Sequence, residues 1–303
     1  MSTRISLIIN PTAGRGAARA DLAGIEALFG SAAEASVAYT GARGDEAVLT
    51  QRAIASGATT IVAVGGDGTC SRIADAIARG NSSCALAVVP RGTGNDFAKT
   101  IGVAKYSPGQ IAHLLLNTEP TRIDVGIADG HHFLNSCGFG FDAAVLEASN
   151  SVRFLKGDAV YIYSALRQLF SYRGIDISSR EAGPAAWSLS GRMLMATVSN
   201  GKSLGGAFQI APDASVTDGK LDACFIANTR AINRMRLFAA ALRGRHLGMP
   251  GVTARAVTRL SLSFETSPAM EMDGELRTAR GRTVELSCLP RALAVVAAPG
   301  ALS

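Results

Sequence analysis

The chain of 303 residues is long enough to build two domains with cores of their own. Hydrophobic residues make up 48% of it and charged residues 18%, and this balance excludes a disordered protein. The formal net charge of +6 fits an anionic partner, whether a nucleotide, an acidic membrane surface or nucleic acid, without choosing among them.

Neither the cysteines nor the apolar runs indicate a secreted or membrane-spanning protein. The five cysteines are an odd number without a Cys-x-x-Cys pair, which predicts buried free thiols rather than disulfides or a zinc site. No apolar run reaches the roughly 18–20 residues that span a bilayer. The first run, Ile5 to Ile9, is too short for the core of a signal peptide. We therefore expect a cytoplasmic protein.

Strands and helices alternate through the first part of the chain. Apolar runs of strand length are separated by segments of helical periodicity, several of which stop at a glycine. The predicted strands are Ile5–Ile9, Ser36–Tyr39, Thr59–Val64 and Ala85–Val89. The predicted helices between them are Ala17–Phe29, Asp45–Ala55 and Cys70–Arg79. This βαβ series predicts an α/β domain with a doubly wound parallel sheet over residues 1–122.

The second part of the chain has short strand-like runs separated by Asp-Gly and Asn-Gly pairs. Such pairs favour tight hairpin turns, so a mainly antiparallel β domain is predicted over residues 123–290. The pairs are Asp129-Gly130, Asn200-Gly201, Asp218-Gly219 and Asp273-Gly274. Two helical segments, Ala159–Phe170 and Arg230–Arg245, interrupt the strands. The last strand-like run, Ala292–Ala297, fits either domain, so residues 291–303 could return to the first.

Two glycine-rich blocks follow the third and fourth predicted strands. The first is Gly65-Gly66-Asp67-Gly68-Thr69, and the second, Pro90 to Ala98, contains Gly92, Thr93, Asn95 and Asp96. Open α/β sheets bind ligands at the carboxyl ends of their strands, where glycines allow close approach and helix N-termini hold phosphate. A carboxylate in a phosphate loop would repel its ligand unless a cation lay between them. Asp67 and Asp96 therefore indicate a magnesium nucleotide rather than a bare anion.

These blocks and five further motifs, in the same order, resemble the lipid kinases that include bacterial diacylglycerol kinases, sphingosine kinases and ceramide kinases. The resemblance covers nearly the whole chain. It implies a phosphofructokinase-like N-terminal nucleotide domain, a β-rich lipid-binding C-terminal domain, and catalysis in the cleft between them. The five further motifs are Asn10-Pro11 with Gly14, Asp124-Val125-Gly126, Asn135-x-x-Gly138-x-Gly140-Phe141-Asp142, Pro212 with Asp218-Gly219-Lys220-Leu221-Asp222, and Asp273-Gly274-Glu275.

The resemblance also implies roles for particular residues. Asp67, Asp96 and Asp124 would form an acidic network around the active-site Mg²⁺. Glu275 would take the proton from the lipid hydroxyl, whose very high pKa makes a carboxylate base chemically reasonable. A second, structural Mg²⁺ would be held by the Asp218 carboxylate and the backbone carbonyls of Ser215 and Lys220. The ATP site would be lined by Asn10, Thr40, Gly65, Gly66, Asp67, Gly68, Thr69, Gly92, Thr93 and Asn95.

Each motif also has a purely structural interpretation. Asp67 or Thr69 could cap a helix, and Asp124 could cap an interdomain turn. Asp218-Gly219 and Asp273-Gly274 could be plain hairpin turns.

The segment from Arg230 to His246 combines arginines with apolar side chains. A basic amphipathic helix can lie on an anionic membrane, and we expect Arg230, Arg234 and Arg236 to help seat the protein there. The alternative is an ordinary surface helix that packs its apolar face inward. Ala159–Phe170 is likewise either core or a lipid-facing wall.

The leading interpretation is a lipid kinase that uses ATP and Mg²⁺ and associates peripherally with an anionic membrane surface. Its acceptor would be a primary hydroxyl of a diacylglycerol or of a ceramide- or sphingoid-type lipid. A kinase for a soluble acceptor comes second, because NAD kinases and phosphofructokinases look similar at the glycine-rich block. A non-catalytic nucleotide-sensing protein is disfavoured by the presence of all four carboxylates. Nucleic-acid binding is not expected without a basic tail or more aromatics, and a homodimer is possible.

Overall fold

The computed structural model describes residues 4–14, 22–30, 34–80, 82–149, 151–152, 158–181 and 187–302. The chain divides into two units, one made of Met1–Asp124 with Arg291–Ser303 and the other of Val125–Pro290. The last strand, Thr283–Val295, therefore begins in the second unit and ends in the first. No helix within the described ranges has the length and apolarity that crossing a membrane requires.

The first unit is built on a parallel sheet, which confirms the predicted α/β class. Its strands are β1 (Arg4–Ile9), β2 (Glu34–Tyr39), β3 (Thr60–Gly65), β4 (Ala85–Pro90) and the end of β15 (Thr283–Val295). They lie in the order β15-β4-β3-β1-β2, and neighbouring strands are parallel. The three strands β1, β3 and β4 are buried almost throughout, as expected for the centre of a sheet covered on both faces.

The helices of the first unit connect these strands. They are α1 (Leu22–Gly30), α2 (Asp45–Ala55), α3 (Asp67–Arg79), α4 (Asp96–Thr100) and α5 (Pro108–Asn117). Residues 17–21 of the predicted first helix lie outside the described ranges. Helix α3 begins at Asp67 rather than at Cys70 as predicted, because the backbone N–H groups of Thr69 and Cys70 both donate to the carbonyl of Gly66, at 3.1 Å. The first glycine-rich block therefore ends a strand and opens a helix.

The second unit is mainly antiparallel β, as the sequence predicts. Besides the start of β15, its strands are β5 (Thr121–Ala128, which enters from the first unit), β6 (His131–Phe133), β7 (Ser136–Gly140), β8 (Ile175–Glu181), β9 (Trp187–Ser199), β10 (Leu221–Ala227), β11 (Val252–Val257), β12 (Arg259–Phe264), β13 (Ala269–Met272) and β14 (Glu275–Thr278). The main order is β14-β13-β7-β9-β8-β12-β15, while β10 pairs with β9 and β11, and β6 with β5. These neighbours are antiparallel.

Two of the four predicted hairpin turns are present. Asp129-Gly130 joins β5 to β6, and Asp273-Gly274 joins β13 to β14, with φ values of 51° and 76° in the first pair and 48° and 83° in the second. Positive φ at both positions is the geometry of the two-residue hairpin. The prediction is wrong for Asn200-Gly201 and Asp218-Gly219. Because β9 and β10 pair directly, with Ser199 opposite Asp222, both dipeptides belong to the one long loop that joins these strands.

In the described part of the second unit the helices are α6 (Phe141–Ser149), α7 (Asp158–Ser171) and α8 (Ala231–Ala241). Helix α7 matches its prediction closely, whereas α8 is shorter than predicted. One core cluster lies among the strands and includes Phe139, Phe225 and Leu262, and a second involves α6, α7 and α8 and includes Val145, Leu169 and Leu237. All five cysteines are free thiols, as predicted, and four of them are buried.

Candidate functional site

The two glycine-rich blocks meet at the carboxyl ends of β3 and β4. The backbone N–H of Arg91 donates to the carbonyl of Gly65 at 2.8 Å. A Cβ atom added to Gly92 would lie 2.5 Å from the Cα of Gly66, and one added to Gly66 would lie 3.0 Å from the Cα of Gly92. The loops therefore cross backbone against backbone, which only glycine at these two positions permits.

Asp67 ties the two blocks together. Its Oδ1 accepts a hydrogen bond from the backbone N–H of Phe97 at 3.1 Å, so the carboxylate at the start of α3 also holds the start of α4. The N-cap of α3 is Gly66, and no side chain caps that helix. Asp67 therefore does not cap α3; its carboxylate links the two glycine-rich blocks.

Asn10 joins the same region from the end of β1. Its backbone N–H donates to the carbonyl of Val64 at 2.9 Å, and its side-chain amide donates to Thr69 Oγ1 at 3.1 Å. Thr40, just after β2, is buried and donates its backbone N–H to Ile9 at 2.9 Å. Asn10 and Thr69, both predicted for the ATP site, thus lie side by side, and Thr40 lies at the same edge of the sheet.

The second block is closed by Asn95. This residue has a left-handed backbone (φ 50°), and its amide both accepts from the N–H of Gly92 and donates to its carbonyl, each at 2.9 Å. Asp96 is buried at the start of α4 and pairs with Lys99, with 2.9 Å between Oδ1 and Nζ. Thr93 is exposed at the tip of the loop. The loop therefore presents a fixed backbone, held by its own asparagine.

Asp124 lies at the end of the first unit and is fully buried. Its Oδ1 accepts from the backbone N–H of Arg291 at 2.8 Å, and Arg291 has a φ of 51°. The guanidinium of Arg122 donates to the carbonyl of Arg291 at 3.1 Å. Asp124 thus holds the C-terminal segment where it returns to the first unit.

The donor set fits a magnesium ion that shares its ligands with a nucleotide. The described part of the chain contains no group of three or more His, Cys, Asp and Glu side chains that could hold a metal alone. Mg²⁺ commonly binds through one or two carboxylates together with substrate phosphates and water. Asp67, beside the crossed backbone of the two blocks, suits that role.

In the second unit, Glu275 follows a turn that is held firmly. The Asp273 carboxylate accepts from the backbone N–H groups of Leu134, Asn135 and Ser136, at 2.7, 2.8 and 3.1 Å. Gly274 N–H donates to Glu271 Oε1 at 2.6 Å. Sequence reasoning missed this anchoring role of Asp273, which the hairpin interpretation of Asp-Gly had hidden.

Glu275 itself opens β14 and is largely buried. Its Oε2 lies 3.3 Å from an Nη atom of Arg277. A carboxylate placed at a strand end beside a rigid turn has a fixed direction, which a general base requires.

The predicted structural metal site is an exposed loop before β10. Asp218 Oδ1 accepts from the backbone N–H of Lys220 at 3.0 Å, and the hydroxyls of Ser215 and Thr217 are 3.1 Å apart. Burial raises the pKa of Asp222 to about 6; the carboxylates of Asp218 and Asp213 add to the rise and Lys220 opposes it. The loop thus has an excess of negative charge, which a cation would relieve. Asp213 and Asp222 were not predicted as part of it.

The second unit also contains an apolar pocket that sequence reasoning did not predict. Its lining is almost entirely hydrocarbon. The walls come from α6, α7, α8, β9, β10 and the loop after β9, and include Phe141, Leu169, Leu194, Phe208, Leu237 and Phe238. Among the described residues, two charged side chains line it, Asp142 and Arg234.

These two polar residues are held by different means. Asp142 accepts a short hydrogen bond from Thr197 Oγ1, and desolvation by burial raises the pKa of its carboxyl to about 7 despite that bond. Its Oδ2 would lie 2.3 Å from a Cβ on Gly138, which explains the glycine there. Burial lowers the pKa of Arg234, whose guanidinium donates to the carbonyls of Leu169 and Tyr172 at 2.9 and 2.8 Å. Arg234 therefore fastens α8 to the end of α7.

Two family models match the chain in succession. The diacylglycerol kinase catalytic domain matches residues 4–128, and the YegS C-terminal NAD kinase beta sandwich-like domain matches residues 135–297. The glycine-rich blocks thus fall within the first match, and Glu275 and the apolar pocket within the second.

Individual proteins agree with these matches. The chain is 27% identical over 274 residues to a protein of Bacillus subtilis (strain 168) named "Diacylglycerol kinase", covering 90% of this chain and 89% of the relative. It is 30% identical over 264 residues to "Probable lipid kinase YegS-like" of Pseudomonas aeruginosa (strain UCBPP-PA14), covering 86% and 84%. The crystal structure of a diacylglycerol kinase from Bacillus anthracis str. Sterne matches with a TM-score of 0.77 at 22% identity, over 100% of this chain and 99% of that one. This last likeness concerns the fold alone.

Proposed function

The chain belongs to the lipid kinase family of diacylglycerol kinases and YegS-like proteins and is a phosphotransferase, and from that premise we propose what it transfers and to which acceptor. The donor is ATP, whose γ-phosphate passes to a primary hydroxyl of a two-chain lipid of the diacylglycerol or ceramide type. The observation that carries this choice of acceptor is the apolar pocket of the second unit. A pocket whose lining is almost entirely hydrocarbon suits an acyl chain and offers little to a polar metabolite.

The nucleotide half of the proposal rests on the crossed glycine loops. Phosphoryl transfer needs charge neutralisation and exact placement of the phosphates more than covalent chemistry. The N-terminus of α3, a long helix that opens at the end of β3, can bind the phosphates. Asp67 would hold the Mg²⁺, which neutralises phosphate charge when bound. We propose that Asp96 and Asp124 belong to the acidic network around the same Mg²⁺. A second Mg²⁺ would be held by the Asp218 carboxylate and the backbone carbonyls of Ser215 and Lys220.

The acceptor hydroxyl needs a base, and we assign that role to Glu275. Its carboxylate is fixed by the turn that Asp273 anchors and accepts the proton as the new oxygen–phosphorus bond forms. Asp96 is the alternative base.

A second candidate is a kinase for a soluble acceptor. It is favoured by one observation, the NAD kinase-like description of the domain that residues 135–297 match. The apolar pocket argues against it.

A panel of acceptors tests the proposal. Purified protein, Mg²⁺ and ATP labelled in the γ-phosphate are incubated with diacylglycerol, monoacylglycerol, sphingosine, ceramide or phosphatidylglycerol in mixed micelles, or with NAD in solution. We expect labelled diacylglycerol or a labelled ceramide-type lipid. Label on NAD alone would establish the soluble acceptor, and ATP binding without any transfer would establish a nucleotide sensor.

A pocket variant tests the observation itself. Ala241→Phe places a ring in the pocket, because Ala241 is buried in its wall, whereas Ala256→Phe places the same ring on exposed β11. Only the first should raise the KM for a long-chain lipid, with ATP affinity unchanged in both. Equal KM values in folded variants would remove the pocket from the acceptor site.

A further inference from the structure

Helices α7 and α8 carry apolar side chains on their outer faces. Leu166 and Phe170 of α7, and Ile232 and Met235 of α8, are exposed by 40–65% of their surface. The two residues of each pair are three or four positions apart, so each helix presents a short apolar stripe. We define these four side chains as the α7–α8 face.

Both stripes point away from the same pocket. Other sides of the two helices line it, with Leu169 from α7 and Leu237 from α8. Arg234 links the helices by its hydrogen bonds to the carbonyls of Leu169 and Tyr172. Each helix therefore has one side on the pocket and an exposed apolar stripe on another, and Arg234 holds the two helices together.

The charged side chains that α7 and α8 carry beside these stripes are arginines. Arg167, Arg230 and Arg236 are exposed beside the stripes. Neither α7 after Asp158 nor α8 contains an Asp or Glu. Within the described ranges, none of these three arginines forms an ion pair. Arginines beside exposed apolar side chains are complementary to the surface of an anionic bilayer, where headgroups meet acyl chains.

We propose that the α7–α8 face docks on an anionic lipid bilayer, which places two helices of the acyl-pocket wall against the source of its lipid. The reason for docking, access to a lipid acceptor, rests on the proposed function. Docking itself can be measured without catalysis. It corrects one expectation from the sequence: Arg234 is buried and fastens two helices, so it does not seat the protein, whereas Arg230 and Arg236 remain available.

Vesicle sedimentation tests the proposal with matched variants. The full chain is mixed with phosphatidylcholine vesicles with or without 30% phosphatidylglycerol. Phe170→Ser/Ile232→Ser removes apolar contact, with Val48→Ser/Leu116→Ser as control, since Val48 and Leu116 are 49% and 47% exposed on helices of the first unit. Arg230→Gln/Arg236→Gln removes charge, with Arg259→Gln/Arg282→Gln, exposed elsewhere in the second unit, as control.

We expect the parent to bind the anionic vesicles and to be released by salt. Each lost arginine should weaken binding about 5-fold, and each lost apolar side chain by a similar factor, while both controls bind like the parent. Equal binding by parent and both face variants would overturn the proposal. So would a dimer, seen by sedimentation velocity, that Phe170→Ser/Ile232→Ser dissociates without changing vesicle binding, because the face would then contact a second copy.

Failure of docking and failure of the proposed function are distinguishable. Phosphorylation of a short-chain diacylglycerol dissolved as monomers does not require a membrane. If only the docking proposal is wrong, the face variants retain parent activity on both dissolved and vesicle-borne lipid. If only the proposed function is wrong, no lipid is phosphorylated, yet the variants still lose vesicle binding.

Discussion

Replacing the pocket carboxyl, Asp142→Asn, should change how the stability of the second unit depends on pH. Burial raises the pKa of this carboxyl from 3.8 to about 7 in the folded protein. Below about pH 4 both the folded and unfolded states hold the neutral acid. As the pH rises, the unfolded state ionises first while the folded state keeps its proton until about pH 7. The carboxyl therefore lowers stability progressively between those two values.

The size of the effect follows from the shift. One pKa unit corresponds to about 1.36 kcal/mol, so a shift of about three units costs roughly 4 kcal/mol at pH 8. At pH 5 only about 1–2 kcal/mol of that cost is present, because the pH lies only about one unit above the pKa of the unfolded carboxyl. The asparagine amide can still accept from Thr197 and does not ionise. Relative to the parent, Asp142→Asn should thus gain about 3 kcal/mol between pH 5 and pH 8.

Urea denaturation followed by tryptophan fluorescence measures this difference. The chain has a single tryptophan, Trp187, which packs against Phe225 in the second unit with 5.6 Å between ring centroids. Glu265→Gln, an exposed carboxyl change in the same unit, is the control and should show no such gain. Any pH-independent cost of the substitution cancels in this comparison. If the free energies of unfolding of parent and Asp142→Asn differed by the same amount at pH 5 and pH 8, the Asp142 carboxyl would not carry the raised pKa.

Three further changes test the first unit. Gly92→Ala forces a Cβ to within 2.5 Å of the Cα of Gly66, so ATP binding measured by calorimetry should be lost. Gly109→Ala, whose Cβ meets only a side-chain atom at 3.9 Å, is the control and should bind ATP normally. Normal ATP binding by both variants would contradict the contact between the two loops. Arg72→Met leaves the buried Glu46 carboxylate without its 2.6 Å partner and should cost about 3 kcal/mol in thermal unfolding, most of it recovered by Arg72→Met/Glu46→Leu. Asp67→Asn should lower turnover with every acceptor and leave the fold intact, and parent-like turnover would make Asp67 a purely structural link.

The parts of the fold that could be predicted are those encoded in short stretches of chain. Strands β3 and β4 are uninterrupted apolar runs because they are covered on both faces, and the glycine blocks follow them directly. Their proximity followed from a general rule about parallel sheets, and the structure adds that Gly66 and Gly92 touch.

The parts that could not be predicted depend on contacts between distant segments. The pocket joins α6, α7, α8, β9, β10 and a loop, and no single segment differs from ordinary core. Arg234 looks like its neighbours Arg230 and Arg236 in sequence, yet it is buried by its bonds to the end of α7. Asp218-Gly219 has hairpin composition but lies in a long loop, because pairing of β9 with β10 overrides the local turn preference.

Single-turnover transfer from γ-labelled ATP to diacylglycerol in micelles measures whether Glu275 is the base in phosphate transfer to a lipid hydroxyl. Glu275→Gln keeps the size and hydrogen-bonding reach of the side chain but cannot take the proton. Its rate should fall by roughly 10²–10⁴ with ATP affinity unchanged. Asp96→Asn, measured beside it, would show the larger fall if Asp96 were the base instead. A folded Glu275→Gln protein with a rate near that of the parent would remove Glu275 from the chemical step. A parent that transfers no label to any lipid would overturn lipid phosphorylation itself.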